Sequence, residues 1–105
     1  MEFTALNKKF HFENLREEKF CFTAKSLKVF IKENNQELSR LGITISSKFA
    51  NAVIRNRFKR RIKEVVRGIE TKQTVDILVL GNTESSKLST LEIKEIILSH
   101  PTLKK

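Results

Sequence analysis

Residues 47–67, SKFANAVIRNRFKRRIKEVVR, gather side chains suited to one kind of chemistry. Lys48, Arg55, Arg57, Lys59, Arg60, Arg61, Lys63 and Arg67 are cationic, Asn51 and Asn56 add amides, and Glu64 is the single acid. Arg predominates, and its planar fork of N–H groups matches the oxygens of a phosphate. Such a row repels itself, because the acidic (i, i+4) partners that relieve an ordinary surface helix are missing. A solvated amphipathic helix is the plainer reading, and the missing acids count against it. The segment is built to meet a polyanion.

The rest of the chain carries little of the charge. The 105 residues have a formal net charge of +9, from 21 Lys and Arg against 12 Asp and Glu. Residues 48–67 hold eight of the basic residues against Glu64, which leaves 13 basic and 11 acidic residues elsewhere. Excess charge confined to one segment is the footprint of a nucleic-acid binder. Cys21 is alone, so no internal disulfide can form, and a reducing cytoplasm is the expected location. No N-terminal run resembles a signal peptide, and no stretch is long and apolar enough to cross a bilayer. A membrane-surface helix is disfavoured because a domain this small needs the apolar stripe of its basic helix for a core.

Hydrolysis by the protein itself would need positioned acid and base groups or a carboxylate cluster for metal ions. His11 and His100 stand at opposite ends of the chain, and the acids are scattered. Each histidine, isolated in sequence, is expected at the surface, and Glu64 is expected to pair with Arg60 or Arg61. No Cys/His spacing suggests zinc. Neither a catalytic residue nor a metal site is predicted.

The elements that must position the basic segment follow from periodicity. Residues 8–19 predict a first helix with Phe12 and Leu15 on one side. Residues 20–23 predict a short strand, and residues 26–32 alternate, with Leu27, Val29 and Ile31 on one face and Lys28, Phe30 and Lys32 on the other. Residues 40–46 alternate as well, pointing Leu41, Ile43 and Ile45 inward, and the apolar run at 74–80 predicts a strand covered on both faces. In the basic helix Asn51 is the expected N-cap and Gly68 the approximate end. Ile54, Phe58, Ile62, Val65, Val66 and Ile69 fall within one apolar arc at about 100° per residue. Asn56, Lys59, Arg60, Lys63 and Arg67 lie opposite, and Arg57 and Arg61 flank the stripe. A last helix opens with Ser89 and Glu92 as a capping box, brackets its cap with Leu88 and Ile93, and stops near His100, before Pro101. The order is α-β-β-β-α-β-α. The expected fold is α+β: a single domain over residues 1–105, an α/β sandwich with a mixed four-stranded sheet whose strands flanking the basic helix run parallel.

Phe30, between Lys28 and Lys32 on its strand, has two readings. It is either a platform on which an unpaired base stacks or ordinary core under the first helix, and residue types alone leave both open.

The stretch SSKFANAVIRNRFKRRIKEVVR resembles the signature of the protein subunit of bacterial ribonuclease P, an Arg-Asn-Arg-x-Lys-Arg core formed here by Arg55, Asn56, Arg57, Lys59 and Arg60. The preceding LGITIS, then Lys48 and NAV at 51–53, match in order and spacing, and the element order fits the whole chain. The family usually has glycine where this chain has Ala50, and a basic pair where it has Ser47-Lys48. The resemblance implies a crossover of the ribosomal-protein-S5-domain-2-like type, in which the strand–helix–strand connection is left-handed against the usual rule. It implies two RNA partners and no DNA: the catalytic RNA, bound by the basic helix, and precursor tRNA. The 5′ leader of the latter would lie in a cleft of Phe12, Arg16, Lys28 and Phe30. It also implies that the RNA performs the cleavage, with Mg²⁺ required by the assembled enzyme and no cofactor held by the protein alone. The alternatives are a structural protein of another ribonucleoprotein, such as a small ribosomal protein, and a free-standing nuclease.

Overall fold

The computed structural model describes residues 1–6, 15–45, 48 and 51–104. Five strands form one mixed sheet: β1 (Phe3–Ala5), β2 (Cys21–Ala24), β3 (Leu27–Glu33), β4 (Ser39–Ile45) and β5 (Val75–Gly81), in spatial order β1-β4-β5-β3-β2. β2, β3 and β5 pair antiparallel, whereas β4 runs parallel to both β5 and β1. Among the described residues, α1 (Ala52–Arg67) connects β4 to β5, and α2 (Thr90–Leu98) and α3 (Pro101–Lys104) follow β5.

The four expected strands are present, and β1 is a fifth that corrects the expected count. Three residues are too few for a period of two to show in sequence. β1 is held by its ladder to β4, by Leu6 N–H donating to the Leu41 carbonyl at 3.0 Å, and by the Met1 nitrogen donating to the Arg67 carbonyl at 2.7 Å. The helix expected over 8–19 falls mostly outside the described residues. Its last part is not α-helical: Glu18–Phe20 form a 3-10 turn, because the next residue, Cys21, already pairs with Phe30. β2 and β3 are joined by a two-residue turn in which Lys25 and Ser26 have φ of 48° and 65°, the left-handed pair that a type I′ hairpin demands.

The sheet buries both of its faces. On one face Leu27, Val29, Ile31, Ile77 and Val79 meet Phe58, Ile62 and Val66 of α1 and Ile93 and Ile97 of α2. On the other, Leu6, Leu15, Phe30 and Leu78 form a smaller cluster. β5 lies between them with Val75 to Val79 all buried, as its continuous apolar run predicts. α1 starts where Asn51 Oδ1 accepts from Ile54 N–H at 3.0 Å, and α2 carries the complete capping box of Ser89 and Glu92, with Leu88 and Ile93 both buried beside it. Pro101 does not merely end this region. Its fixed φ and missing N–H suit the first position of α3.

Phe58, fully buried, sets the position of α1. Its ring lies so close to the last residue of β5 that a Cβ on Gly81 would stand 2.5 and 2.7 Å from two ring carbons. Ile54, one turn earlier, is 38% exposed, which removes it from the expected core arc. Phe58→Ala is expected to lower stability by roughly 3–5 kcal/mol in denaturant unfolding. Gly81→Ala should also destabilise, and Phe58→Leu should relieve part of that loss, a coupling that a double-mutant cycle reads. Additive losses would mean that the two do not press on each other.

His100 is buried, against the expectation of a surface histidine. Its Nε2–H donates to the Phe20 carbonyl at 2.6 Å and its Nδ1 accepts from Thr102 N–H at 3.1 Å, so the ring is neutral and ties α2 and α3 to the start of β2. Burial pushes its pKa below 6.5, partly opposed by hydrogen bonding to the Phe20 carbonyl. The unfolded chain therefore binds the proton more readily than the folded one. Stability should be fully present above the ordinary histidine value of about 6.5 and should fall as pH drops below it toward the depressed folded value. Chemical denaturation between pH 7.5 and 5 should show this slope, and His100→Gln should flatten it.

Candidate nucleic-acid interface

The docking of Phe58, Ile62, Val65 and Val66 turns the opposite side of α1 to solvent. Asn56, Arg57, Arg60, Lys63 and Arg67 are exposed, and Arg55, Lys59 and Arg61 are half-buried at the margins. Among the described residues the ion pairs are Lys19–Glu17, Lys25–Glu92 and Arg40–Asp76, none of them on this face. Arg57, Lys59, Arg60, Lys63 and Arg67 thus present a cationic surface with no ion pair among the described residues. Glu64 pairs with neither Arg60 nor Arg61, a correction to the expectation. Placed after Arg60 along the helix, it has the less favourable order for an (i, i+4) pair.

Arg61 has a different task from its neighbours. Its Nη1 donates to the carbonyls of Ser86 and Leu88, both at 3.1 Å. These groups belong to the 3-10 turn Ser85–Lys87 and the residue after it, just before α2, so the guanidinium bolts α1 to the loop that launches α2. Sequence alone placed Arg61 with the phosphate-binding side chains, since a flanking position does not reveal which carbonyls stand opposite. Asn51 spends its side-chain oxygen on the helix cap, and Lys48 is exposed beyond the N-terminal end of α1. Ser47 and Ala50, the two departures from the family pattern, lie outside the described residues.

Of the residues expected to form a cleft, Lys28 and Phe30 lie on the face of the sheet away from α1. Lys28 and Lys32 are exposed on either side of Phe30, and Arg16 is exposed nearby in sequence; Phe12 lies outside the described residues. Phe30 is 7% exposed, packed with Leu6, Leu15 and Leu78. Its ring is floor, not an open platform. Further along this face Asp76 accepts from Arg40 Nε at 2.7 Å, Arg40 Nη2 at 2.6 Å and Asn34 Nδ2 at 2.8 Å. This half-buried pair neutralises the one acid inside β5. Its polar residue hides within an apolar run, and only the β4–β5 register, which sets Arg40 opposite Asp76, explains it.

No group of three or more His, Cys, Asp or Glu among the described residues could hold a metal ion, and none of their helices is long and apolar enough to cross a membrane. What the exposed side of α1 offers is guanidinium and ammonium groups, donors whose geometry and charge suit phosphate oxygens.

Residues 2–100 match the family described as Ribonuclease P. Curated relatives named Ribonuclease P protein component include one from Syntrophus aciditrophicus, 39% identical over 60% of this chain and 56% of its own length. Another, from Pediococcus pentosaceus, is 31% identical over 86% of this chain and 78% of its own. The chain spans 56% of the length of each of the first two such relatives that it matches. The fold is similar to that of the Staphylococcus aureus RNase P protein, with a TM-score of 0.76 at 26% identity, covering 96% of this chain and 94% of that one. The RNase P protein from Thermotoga maritima shares the fold with a TM-score of 0.73 at 22% identity over 100% of this chain and 98% of its own. The chain belongs to the ribonuclease P protein family.

Proposed function

We propose that this chain is the protein subunit of a bacterial ribonuclease P, one RNA-binding domain over residues 1–105 that holds the catalytic RNA on the exposed face of α1. The observation that carries this is the exposed row Arg57, Arg60, Lys63 and Arg67, without an ion pair among the described residues, on a helix whose other face is locked into the core. The RNA cleaves the 5′ leader from precursor tRNA in the cytoplasm. Mg²⁺ is assigned to that RNA, as the resemblance to the family implies. The leader passes across the opposite face of the sheet, along Lys28 and Lys32, with Phe30 beneath as support. The β4–α1–β5 crossover is inferred to be left-handed, as in the family. The family match favours this reading over a ribosomal role.

The faces of α1 separate binding from folding. Arg57→Ala with Arg60→Ala should leave the melting temperature within a few degrees, since exposed substitutions usually cost under about 0.5 kcal/mol each. Affinity for the catalytic RNA should fall, and the slope of log affinity against log salt should shrink by about one per lost contact. Arg61→Ala should do the reverse, lowering stability more than it changes the salt slope. Wild-type affinity and slope in the double variant would refute this interface.

The sheet's other face calls for a different readout. Phe30→Ala should cost roughly 3–5 kcal/mol of stability as a buried aromatic, which makes it a poor probe of binding. Lys28→Gln with Lys32→Gln should keep the fold and weaken holoenzyme binding to precursor tRNA while leaving binding to mature tRNA, which has no leader, near wild type. Equal losses for the two tRNAs would remove the leader from this face.

A further inference from the structure

The cationic side of α1 does not end at solvent. Lys59, Lys63 and Arg67, four residues apart, form one wall of an open groove of about 420 Å³, and β1 with the edge of β4 forms the other, including Phe3, Thr4 and Ile43. Phe3 is half-buried and rests its inner side on the main core. The Arg67 guanidinium lies 5.6 Å from the centroid of its ring. Both members of this pair are held from behind: Phe3 by its register with Ser39 in β4, and the Arg67 carbonyl by the Met1 nitrogen at 2.7 Å. No ion pair among the described residues involves any of the three cations. An aromatic ring stacked with a guanidinium, beside two lysines one helical turn apart (about 6 Å), combines a flat apolar surface with separated positive charges. A nucleotide has the complementary form, a flat π-surface between two phosphates.

We propose that this groove is a nucleotide subsite. It takes an unpaired base of the RNA bound by α1, stacked against the Phe3–Arg67 pair, with the neighbouring phosphates on Lys59 and Lys63. A base inside a duplex offers no free face, so the subsite selects single-stranded RNA. The inference rests on the reading of α1 as an RNA-binding helix and adds to it a site that ordinary phosphate contact does not require.

The test uses the full chain and three probes: a fluorescent twelve-residue oligouridylate, a twelve-base-pair RNA duplex, and a transcript of the ribonuclease P RNA from the same organism. Phe3→Leu keeps an apolar side chain against the core but loses the ring. It should bind the oligouridylate and the transcript about thirtyfold more weakly, at the middle of the range for one lost base stack, with duplex affinity and salt slope unchanged. Phe3→Tyr should bind as wild type. Lys63→Gln should instead reduce the salt slope by about one. Irradiating wild-type protein with a 5-iodouridine oligomer and mapping the adduct by mass spectrometry gives a readout free of any folding defect, and the expected adduct is on Phe3. Wild-type affinity of a folded Phe3→Leu, an equal loss for duplex and single strand, or adducts confined to other elements would overturn the proposal. Arg60→Ala, on the outer face of α1, keeps the two readings apart. If it weakens binding and Phe3→Leu does not, the groove alone fails; if neither has any effect, the α1 interface fails with it.

Discussion

The contact between the Phe58 ring and the backbone of Gly81 fixes the direction in which α1 faces. A helix has one rotation about its axis to choose, and here an unbranched backbone position on β5 admits a ring that a methyl group would expel. Once that rotation is set, Ile62, Val65 and Val66 fall into the same core and the cations are turned outward. Arg61 adds a second restraint a turn along the helix by engaging the carbonyls of Ser86 and Leu88. The charged face is therefore presented on a fixed backbone, so the ordering cost when RNA binds falls on the side chains and not on the main chain.

Magnitudes show why the fold tolerates this much like charge on one helix. The like-charged (i, i+4) pairs Arg55–Lys59, Arg57–Arg61, Lys59–Lys63 and Lys63–Arg67 each cost roughly 0.2–0.5 kcal/mol. Burial of Phe58, Ile62, Val65 and Val66 contributes about 1.5–3 kcal/mol per side chain, an upper range that still exceeds the repulsion several-fold. The apolar arc holds the helix, and the polar arc is left to function. Polyanion binding then relieves the repulsion, so the same residues that weaken the free protein strengthen the complex.

Much of this was legible in sequence where one element repeats a pattern over several turns. The N-cap at Asn51, the capping box of Ser89 and Glu92, the alternation of β3 and the buried run of β5 all follow from local periodicity, and the structure carries each of them. What escaped is set by partners distant in the chain. β1 is too short for alternation to register, and its place beside β4 comes from parallel pairing across 36 residues, Phe3 to Ser39. Arg61 reads as one more cation until the Ser86 and Leu88 carbonyls stand before it. His100 reads as a surface residue until Phe20 and Thr102 enclose it. Phe30 shows the same limit in reverse: its position between two lysines was correct, but the Leu6 and Leu15 side chains that cover its face come from segments whose contact with β3 no local pattern reveals.

The sheet separates two surfaces that the proposed RNA-catalysed reaction would use at once. α1 occupies one side, whereas Lys28 and Lys32 stand on the other, and β5, buried on both faces, forms the partition between them. A partition of packed β-branched and leucine side chains has little freedom to bend, because interiors at this density transmit displacement with little absorption. Under the proposed function, an RNA gripped by α1 and a strand crossing Lys28 and Lys32 would be held at a fixed mutual position by the protein between them. In such an arrangement the protein can contribute to cleavage without any catalytic side chain, by lowering the entropy of bringing substrate and catalytic RNA into register. The mixed topology serves that end: β4 and β1 run parallel beside α1, and the antiparallel β3–β2 hairpin extends the sheet to the other surface, so a chain of this length builds both walls from one continuous ladder.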